Sequence, residues 1–358
     1  MKKHNIDRIN FYGNLGTKKA ALSYFLQEGP ATCNAKCAGC YAGAGINHNS
    51  FLPRGIISPA EAETDISQLI KEHRVLLRGT EILMNPKYIP LLKLAQNKNV
   101  LTNGIVIGQF PDRLNLLAEN EVSNITITYP FDAPATSRNL SDILAHKGKI
   151  DEGIRHIKNH EYGFALQLSA LITSDCLTDE CLSGILEQAV SLEAGVVRFV
   201  PYMAMSGERE IDNYALSKEQ RETLVEKITE FRIKYNPDLL IIDNPGMIGL
   251  FPLRAEKNRN VGKNEIYKFN VPAEDLTCPA GLKYFAISAI KKKNSNGRIY
   301  RAVTPCHFRM DAEIGRYYGG SDLEIDNALV ERLFSSADRT DCVAQNYWYE
   351  KNVKNVSV

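Results

Sequence analysis

Buried-looking and amphipathic stretches alternate along the first two thirds of the chain. Ala20 to Gln27 reads as a buried strand. Ser58-Pro59-Ala60-Glu61 reads as a helix start, with Ser as N-cap, Pro at the first helical position and Glu at the third, and the helix would run to about Glu72. Val75 to Glu81 is expected to be strand and loop, Tyr88 to about Gln96 a helix, Asn99 to Gly104 a short strand, and Arg113 to Glu119 a helix. Asn124 to Tyr129 alternates β-branched residues as a half-buried strand does. Beyond it the pattern predicts a helix over Lys149–Lys158, a strand over Phe164–Ile172, a helix over Thr178–Ala194 and a strand over Val196–Tyr202. A long helix over Ser217–Tyr235 and the apolar run Leu239–Asp243 close the series. Strand and helix alternate at least six times, which argues for a parallel sheet with right-handed crossover helices. The expected fold class is α/β, a partial (β/α)6 TIM-type barrel spanning residues 1–245.

From about Pro245 the texture changes. Phe251 to Asn270 is polar and basic with little periodicity and reads as a linker or inserted loop. After it come Cys278-Pro-Ala-Gly281, a short strand at Tyr284–Ser288, and a solvated hairpin loop over Lys291–Gly297. Arg298-Ile-Tyr300, Pro305-Cys306-His307 and Cys342 follow. Residues 246–358 are therefore expected to be a linker and a small C-terminal domain.

Composition narrows the function classes. At 358 residues the chain can bury a large α/β core and an appendage. Its 43 basic and 42 acidic side chains leave a net charge of +1, so no broad nucleic-acid footprint is expected. No stretch reaches the ~20 apolar residues of a membrane span. The start, Met-Lys-Lys-His, leads into no apolar signal region. Eight cysteines without a secretory signal point to a reducing cytoplasm, where clustered cysteines bind metals or do redox chemistry.

Cys33, Cys37 and Cys40 stand in a CxxxCxxC run that gathers three soft thiolates and leaves no fourth nearby. Three thiolates on a four-iron cube leave one iron open, whereas a structural zinc site closes with four protein ligands. The spacing thus points to a reactive cluster. Gly79-Thr80-Glu81, Thr102-Asn103-Gly104 and Asp132 fall at or just after predicted strand ends, where active sites of such folds collect. Cys278, Cys306 and Cys342 are far apart in sequence but could be joined by the fold; the alternative is three unrelated buried thiols. Cys176 and Cys181 flank a helix start after a strand, where a thiol could give a hydrogen atom to a radical or be merely packed. His146, His156 and His160 have no metal-site frame and read as surface residues.

With CxxxCxxC after the first strand, Gly-Thr-Glu after the second and Thr-Asn-Gly after the third, the chain resembles the radical S-adenosylmethionine enzymes over residues 20 to 245. The resemblance implies that Cys33, Cys37 and Cys40 hold a [4Fe-4S] cluster whose open iron chelates S-adenosylmethionine. Gly79, Thr80 and Glu81 match the family's Gly-Gly-Glu element, which receives the cofactor's ammonium. Tyr41, Asn103 and Thr128 would complete the cofactor site. Gly39 precedes the third cysteine where an aromatic residue is usual, and the second motif reads Arg78-Gly79-Thr80-Glu81 in place of two glycines before the acid. The C-terminal cysteines resemble a Twitch or SPASM-type cap, implying an auxiliary [4Fe-4S] cluster on Cys278, Cys306 and Cys342, with Cys176, Cys181 or His307 as possible fourth ligand. An electron donor such as flavodoxin or ferredoxin is implied as a partner.

The family's chemistry would be hydrogen-atom abstraction from a substrate carbon, oxidative if the auxiliary cluster takes an electron. Only 32 residues precede Cys33, too few for a packed peptide-recognition domain. That favours a small or medium-sized metabolite of natural-product biosynthesis over a ribosomally made peptide. A non-catalytic metal-binding protein and an activating enzyme for a glycyl-radical partner are the alternatives.

Overall fold

The computed structural model describes residues 20–28, 32–35, 37, 40, 55–132, 142–205, 209–235, 241–243, 284–306, 311–335 and 342–354. Strand β1 (Ala21–Phe25) is buried throughout and is followed by β2 (Gln27–Glu28), which pairs antiparallel with β3 (Gly55–Ile56). Helix α1 (Pro59–Glu72) begins as the sequence directs, the Ser58 hydroxyl accepting from the Glu61 amide at 3.2 Å. Ala62, Ile66 and Leu69 fall on one stripe of α1 and are buried against the sheet. Strand β4 (Arg74–Arg78) returns parallel to β1.

The next units repeat this plan. They are α2 (Ile89–Leu94) and β5 (Asn99–Thr102); α3 (Ile105–Gln109), α4 (Arg113–Glu119) and β6 (Asn124–Thr128); α5 (Lys147–Asn159) and β7 (Ala165–Ile172). They continue with α6 (Asp179–Ser191) and β8 (Val196–Pro201), then α7 (Arg209–Asp212), α8 (Lys218–Lys234) and β9 (Ile241–Asp243). Helices α2, α4 and α6 are followed by Gln96, Glu121 and Glu193, each at a left-handed φ of 56–60°, a conformation that ends a helix within a turn. Strands β5 to β9 form one all-parallel sheet in chain order.

A second sheet has the order β13-β12-β11-β10-β1-β4, with β10 (Tyr284–Lys293), β11 (Ile299–Thr304), β12 (Gly315–Gly319) and β13 (Asp322–Ile325). Helices α9 (Asn327–Phe334) and α10 (Val343–Tyr349) follow. The C-terminal segment therefore does not form a sheet of its own. β10 lies parallel to β1, Ala21 opposite Tyr284, and its first six residues are buried as a strand flanked on both sides must be. The expected division at residue 245 is not a break between sheets.

The basic run is also placed differently. Lys291–Lys293 is the exposed end of β10, paired antiparallel with β11, and only Asn294–Gly297 makes the turn. The lysines are held there by Glu61 and Glu313, at 2.8 and 2.7 Å. The strand expected to end at Ser288 runs longer because β11 pairs with it at Ala286–Ile287 and again, after a register shift, at Lys291–Lys293. Phe251–Asn270 lies outside the described residues.

One polar network ties the C-terminal hairpins to the first helix. The Asp65 carboxylate on α1 accepts from the Tyr24 hydroxyl and an Arg301 nitrogen, both at 2.6 Å, and from the Gly320 amide at 3.1 Å. The Arg301 guanidinium lies between two rings, 4.4 Å from the Tyr24 centroid and 4.7 Å from that of Tyr317.

Candidate active site

Between β4 and β5 the two sheets are joined by side chains. The Asn97 amide oxygen accepts from Leu77 N at 2.9 Å and its nitrogen donates to Val75 O at 3.5 Å. At the C-terminal ends of the same strands the three sequence motifs meet. Thr32 and Thr80 touch through their hydroxyls, and the Thr80 hydroxyl also donates to Thr32 O at 3.1 Å. Gln27 on β2 spans both segments, its amide donating to Glu81 O at 2.7 Å and Thr32 O at 3.3 Å. Gly79 is required by that approach: a Cβ there would sit 3.0 Å from Gln27 Cγ and 3.1 Å from Ile82 Cγ1.

Glu81 is 1% exposed, and among the described residues no cation neutralises it. Its carboxylate accepts from Leu83 N at 3.2 Å, Thr102 Oγ1 at 2.9 Å and Asn103 N at 2.9 Å. The Thr102 hydroxyl also lies 3.0 Å from the other carboxylate oxygen, so each oxygen of Glu81 has two contacts, all from neutral donors. Burial pushes the Glu81 carboxyl up to about 7 against the pull of these bonds. A buried carboxylate that is short of positive charge is suited to a cationic ligand.

Asn103 connects this carboxylate to the cysteines. Its amide donates to Asn34 Oδ1 at 2.7 Å and approaches Cys33 Sγ at 3.6 Å. Its oxygen accepts from Ile105 N at 3.0 Å, and Gly104, at φ +80°, turns the chain into α3. Burial pushes the Cys33 thiol up to about 11, and the charges of Glu81, Cys40 and Cys37 act in the same direction. The three thiols therefore share one field. A strong positive charge beside Cys33 would favour its thiolate against that burial. Among the described residues no group of three or more His, Cys, Asp or Glu is gathered around a single ion site. The fit to a cluster rests on the donor set: three half-buried thiols beside a buried carboxylate held by neutral donors, a set that suits an open-cornered cubane better than a closed zinc tetrahedron.

The other predicted residues are distributed as follows. Thr128 ends β6, three strands from β1 in the sequence of parallel strands, and touches none of the groups just described. Cys306 and Cys342 are both buried, Cys306 next to Tyr284. Tyr41, Cys278 and His307 lie outside the described residues. Cys176 and Cys181 do follow β7, but they are joined as a disulfide with Cα atoms 5.5 Å apart. Neither sulfur carries the hydrogen atom that a donor to a radical needs, which corrects that expectation; the five-residue step from the end of β7 into α6 brings their Cβ atoms together. Sequence reasoning missed Gln27, Asn34 and Thr102. Thr102 stood within a recognised motif, whereas nothing in the sequence marks Gln27.

Solved structures share this architecture. A structure of native anSMEcpe with bound AdoMet matches 87% of this chain and 80% of its own at a TM-score of 0.57 and 15% identity. The same protein with AdoMet and the Cp18Cys peptide gives a TM-score of 0.54 at 16% identity over the same shares. SuiB of Streptococcus suis, bound to its precursor peptide SuiA, matches 98% of this chain and 68% of its own at 0.51 and 13%. The fold is that of the radical S-adenosylmethionine enzymes. No family model and no curated protein matches the chain. In this radical S-adenosylmethionine fold the cysteine segment, Glu81 and Asn103 stand together at one end of neighbouring parallel strands. Among the described residues no helix is long and apolar enough to cross a membrane.

Proposed function

We propose that the protein is a cytoplasmic radical S-adenosylmethionine enzyme that removes a hydrogen atom from a substrate carbon. The observation that carries this is the Glu81 carboxylate, buried without a counter-charge among the described residues and hydrogen-bonded into the residue that meets Cys33. Cys33, Cys37 and Cys40 would hold the [4Fe-4S] cluster. Glu81 would receive the cofactor's ammonium, with Gly79 and Thr80 presenting the adjacent backbone and Asn103 fixing the distance between carboxylate and thiol. When bound, the cluster and S-adenosylmethionine supply a 5′-deoxyadenosyl radical to the substrate. The chain's own residues bind, orient and desolvate; Glu81 is already dehydrated in the described structure, so an ammonium there displaces little water.

A peptide is the substrate class best supported. SuiB and anSMEcpe were both solved with peptides, which supports this class over a metabolite. An auxiliary [4Fe-4S] cluster on Cys278, Cys306 and Cys342, with net oxidation and a flavodoxin or ferredoxin donor, remains part of the proposal. Two buried thiols among the described residues, Cys306 and Cys342, are too few to hold it alone. The test is anaerobic incubation of reconstituted protein with dithionite and S-adenosylmethionine. Formation of 5′-deoxyadenosine and methionine that disappears in Cys33→Ala supports the reading, and its absence from the wild type refutes it in favour of a non-catalytic metal protein.

A further inference from the structure

Strands β6, β7 and β8 run in register, with Thr128 opposite Ser169 and Ser169 opposite Arg198; Asp243 of β9 takes the next position. The residues between, Ile127, Leu168, Ala170, Val197 and Phe199, are buried in the core. Thr128, Ser169 and Arg198 therefore occupy the opposite face. Two residues nearer the strand N-termini, that face is self-contained: the Thr126 hydroxyl lies 3.0 Å from Asn99 Oδ1 and 3.1 Å from Gln167 Oε1.

The row of Thr128, Ser169 and Arg198 is different. Among the described residues neither hydroxyl has a hydrogen-bond partner, and Arg198 has neither hydrogen bond nor ion pair although its Nε is buried. A buried guanidinium nitrogen with no acceptor costs free energy, and an arginine can only donate. Three donors from adjacent strands, one of them a charged fork, match a carboxylate.

We propose that Arg198, with Ser169 and with Thr128 in place of the cofactor role the resemblance implied for it, anchors a carboxylate of the substrate. The proposal rests on the function proposed above. The anion is not that of the cofactor, whose ammonium and carboxylate share one carbon. With the ammonium at Glu81 beside the end of β5, Arg198 is three strands farther on, about 14 Å away at ~4.8 Å per strand. The remainder of S-adenosylmethionine is neutral or cationic, so the substrate supplies the negative charge. Either a metabolite acid or an acidic peptide side chain has this chemistry.

Two probes decide between these sources and test the site: glutarate and the peptide acetyl-Gly-Glu-Gly-amide, each titrated by ligand-observed NMR into reconstituted protein with S-adenosylmethionine. The uncharged glutaramide serves as control. Binding of either acid, but not of glutaramide, should weaken about tenfold or more in Arg198→Gln, the scale of one lost charge-assisted hydrogen bond, and recover in part in Arg198→Lys. The tighter probe names the source. S-adenosylmethionine affinity, measured separately, should stay within about twofold, since no contact to the cofactor is removed. A parallel tenfold loss of cofactor affinity would overturn the proposal by assigning Arg198 to the cofactor. Equal binding of both acids by wild type and Arg198→Gln, or no binding by either, would overturn it too. So would a tenfold gain in Asp243→Asn, which would make Asp243 the arginine's own partner. Failure of the wild type to bind S-adenosylmethionine at all would instead count against the enzyme reading, and matched thermal melts show that the variants fold.

Discussion

Asp65 and Glu81 are both almost inaccessible, at 4% and 1% exposure, yet the chain treats them in opposite ways. Asp65 receives a full counter-charge from Arg301, whose guanidinium is sandwiched by Tyr24 and Tyr317. Among the described residues Glu81 receives only neutral donors: a hydroxyl and two amides. The first arrangement consumes its charge internally and binds α1 to the C-terminal hairpins. The second leaves a carboxyl near neutrality that gains most from a cation brought from outside. Burial alone thus does not separate the two carboxylates; the presence or absence of a counter-charge among the described residues does.

The largest effect is expected on the structural side. Arg301→Met leaves Asp65 buried and unpaired and should cost about 3–5 kcal/mol in urea unfolding, with most of the loss restored in the Asp65→Leu/Arg301→Met double variant. A loss below about 1 kcal/mol would mean that the pair is not the tie between the segments.

Glu81 should show its character through pH in the cluster-free protein. Its carboxyl titrates near 7 when folded against 4.5 for the unperturbed group. The folded state therefore holds a proton that the unfolded chain has released, and stability falls as pH rises through that window. The fall should reach about 3 kcal/mol in the wild type and be absent from Glu81→Gln. A flat wild-type profile between these limits would remove the distinction between the two carboxylates.

Gly79→Ala sharpens the comparison at the backbone. The new methyl group must move Gln27 or Ile82, so a loss of about 1–2 kcal/mol is expected in thermal melts, with weaker S-adenosylmethionine binding. The smallest effect is expected far from both carboxylates. Gln96→Gly relieves a left-handed residue at φ 56° and should stabilise the fold by about 0.5–1 kcal/mol, with no change in cofactor binding.

Much of the molecule was legible in the sequence. The Ser58-Pro59 cap, the helix over Arg113–Glu119 and the β-branched strand Asn124–Thr128 follow from local rules, and the structure has them within a residue or two. The contact between cysteine segment, Glu81 and Asn103 was legible because each motif follows its own strand, and parallel strands bring like ends together. What escaped was long-range pairing. Nothing local to Tyr284–Lys293 says that it will lie beside β1, and nothing in Arg301 announces Asp65, 236 residues earlier. Gln27 escaped because a lone glutamine at a strand end carries no pattern. The disulfide of Cys176 and Cys181 escaped because the expected reducing compartment argued against it.

The central claim is that the three strand-end motifs form one cofactor site, and iron and sulfide analysis with Mössbauer spectra tests it most directly. The samples are anaerobically reconstituted wild type and the Cys33/Cys37/Cys40→Ala triple variant. The account predicts that the triple variant loses about four irons per chain, one cubane, and with it the binding of S-adenosylmethionine. Iron content unchanged by the triple substitution, or zinc in place of iron, would contradict it.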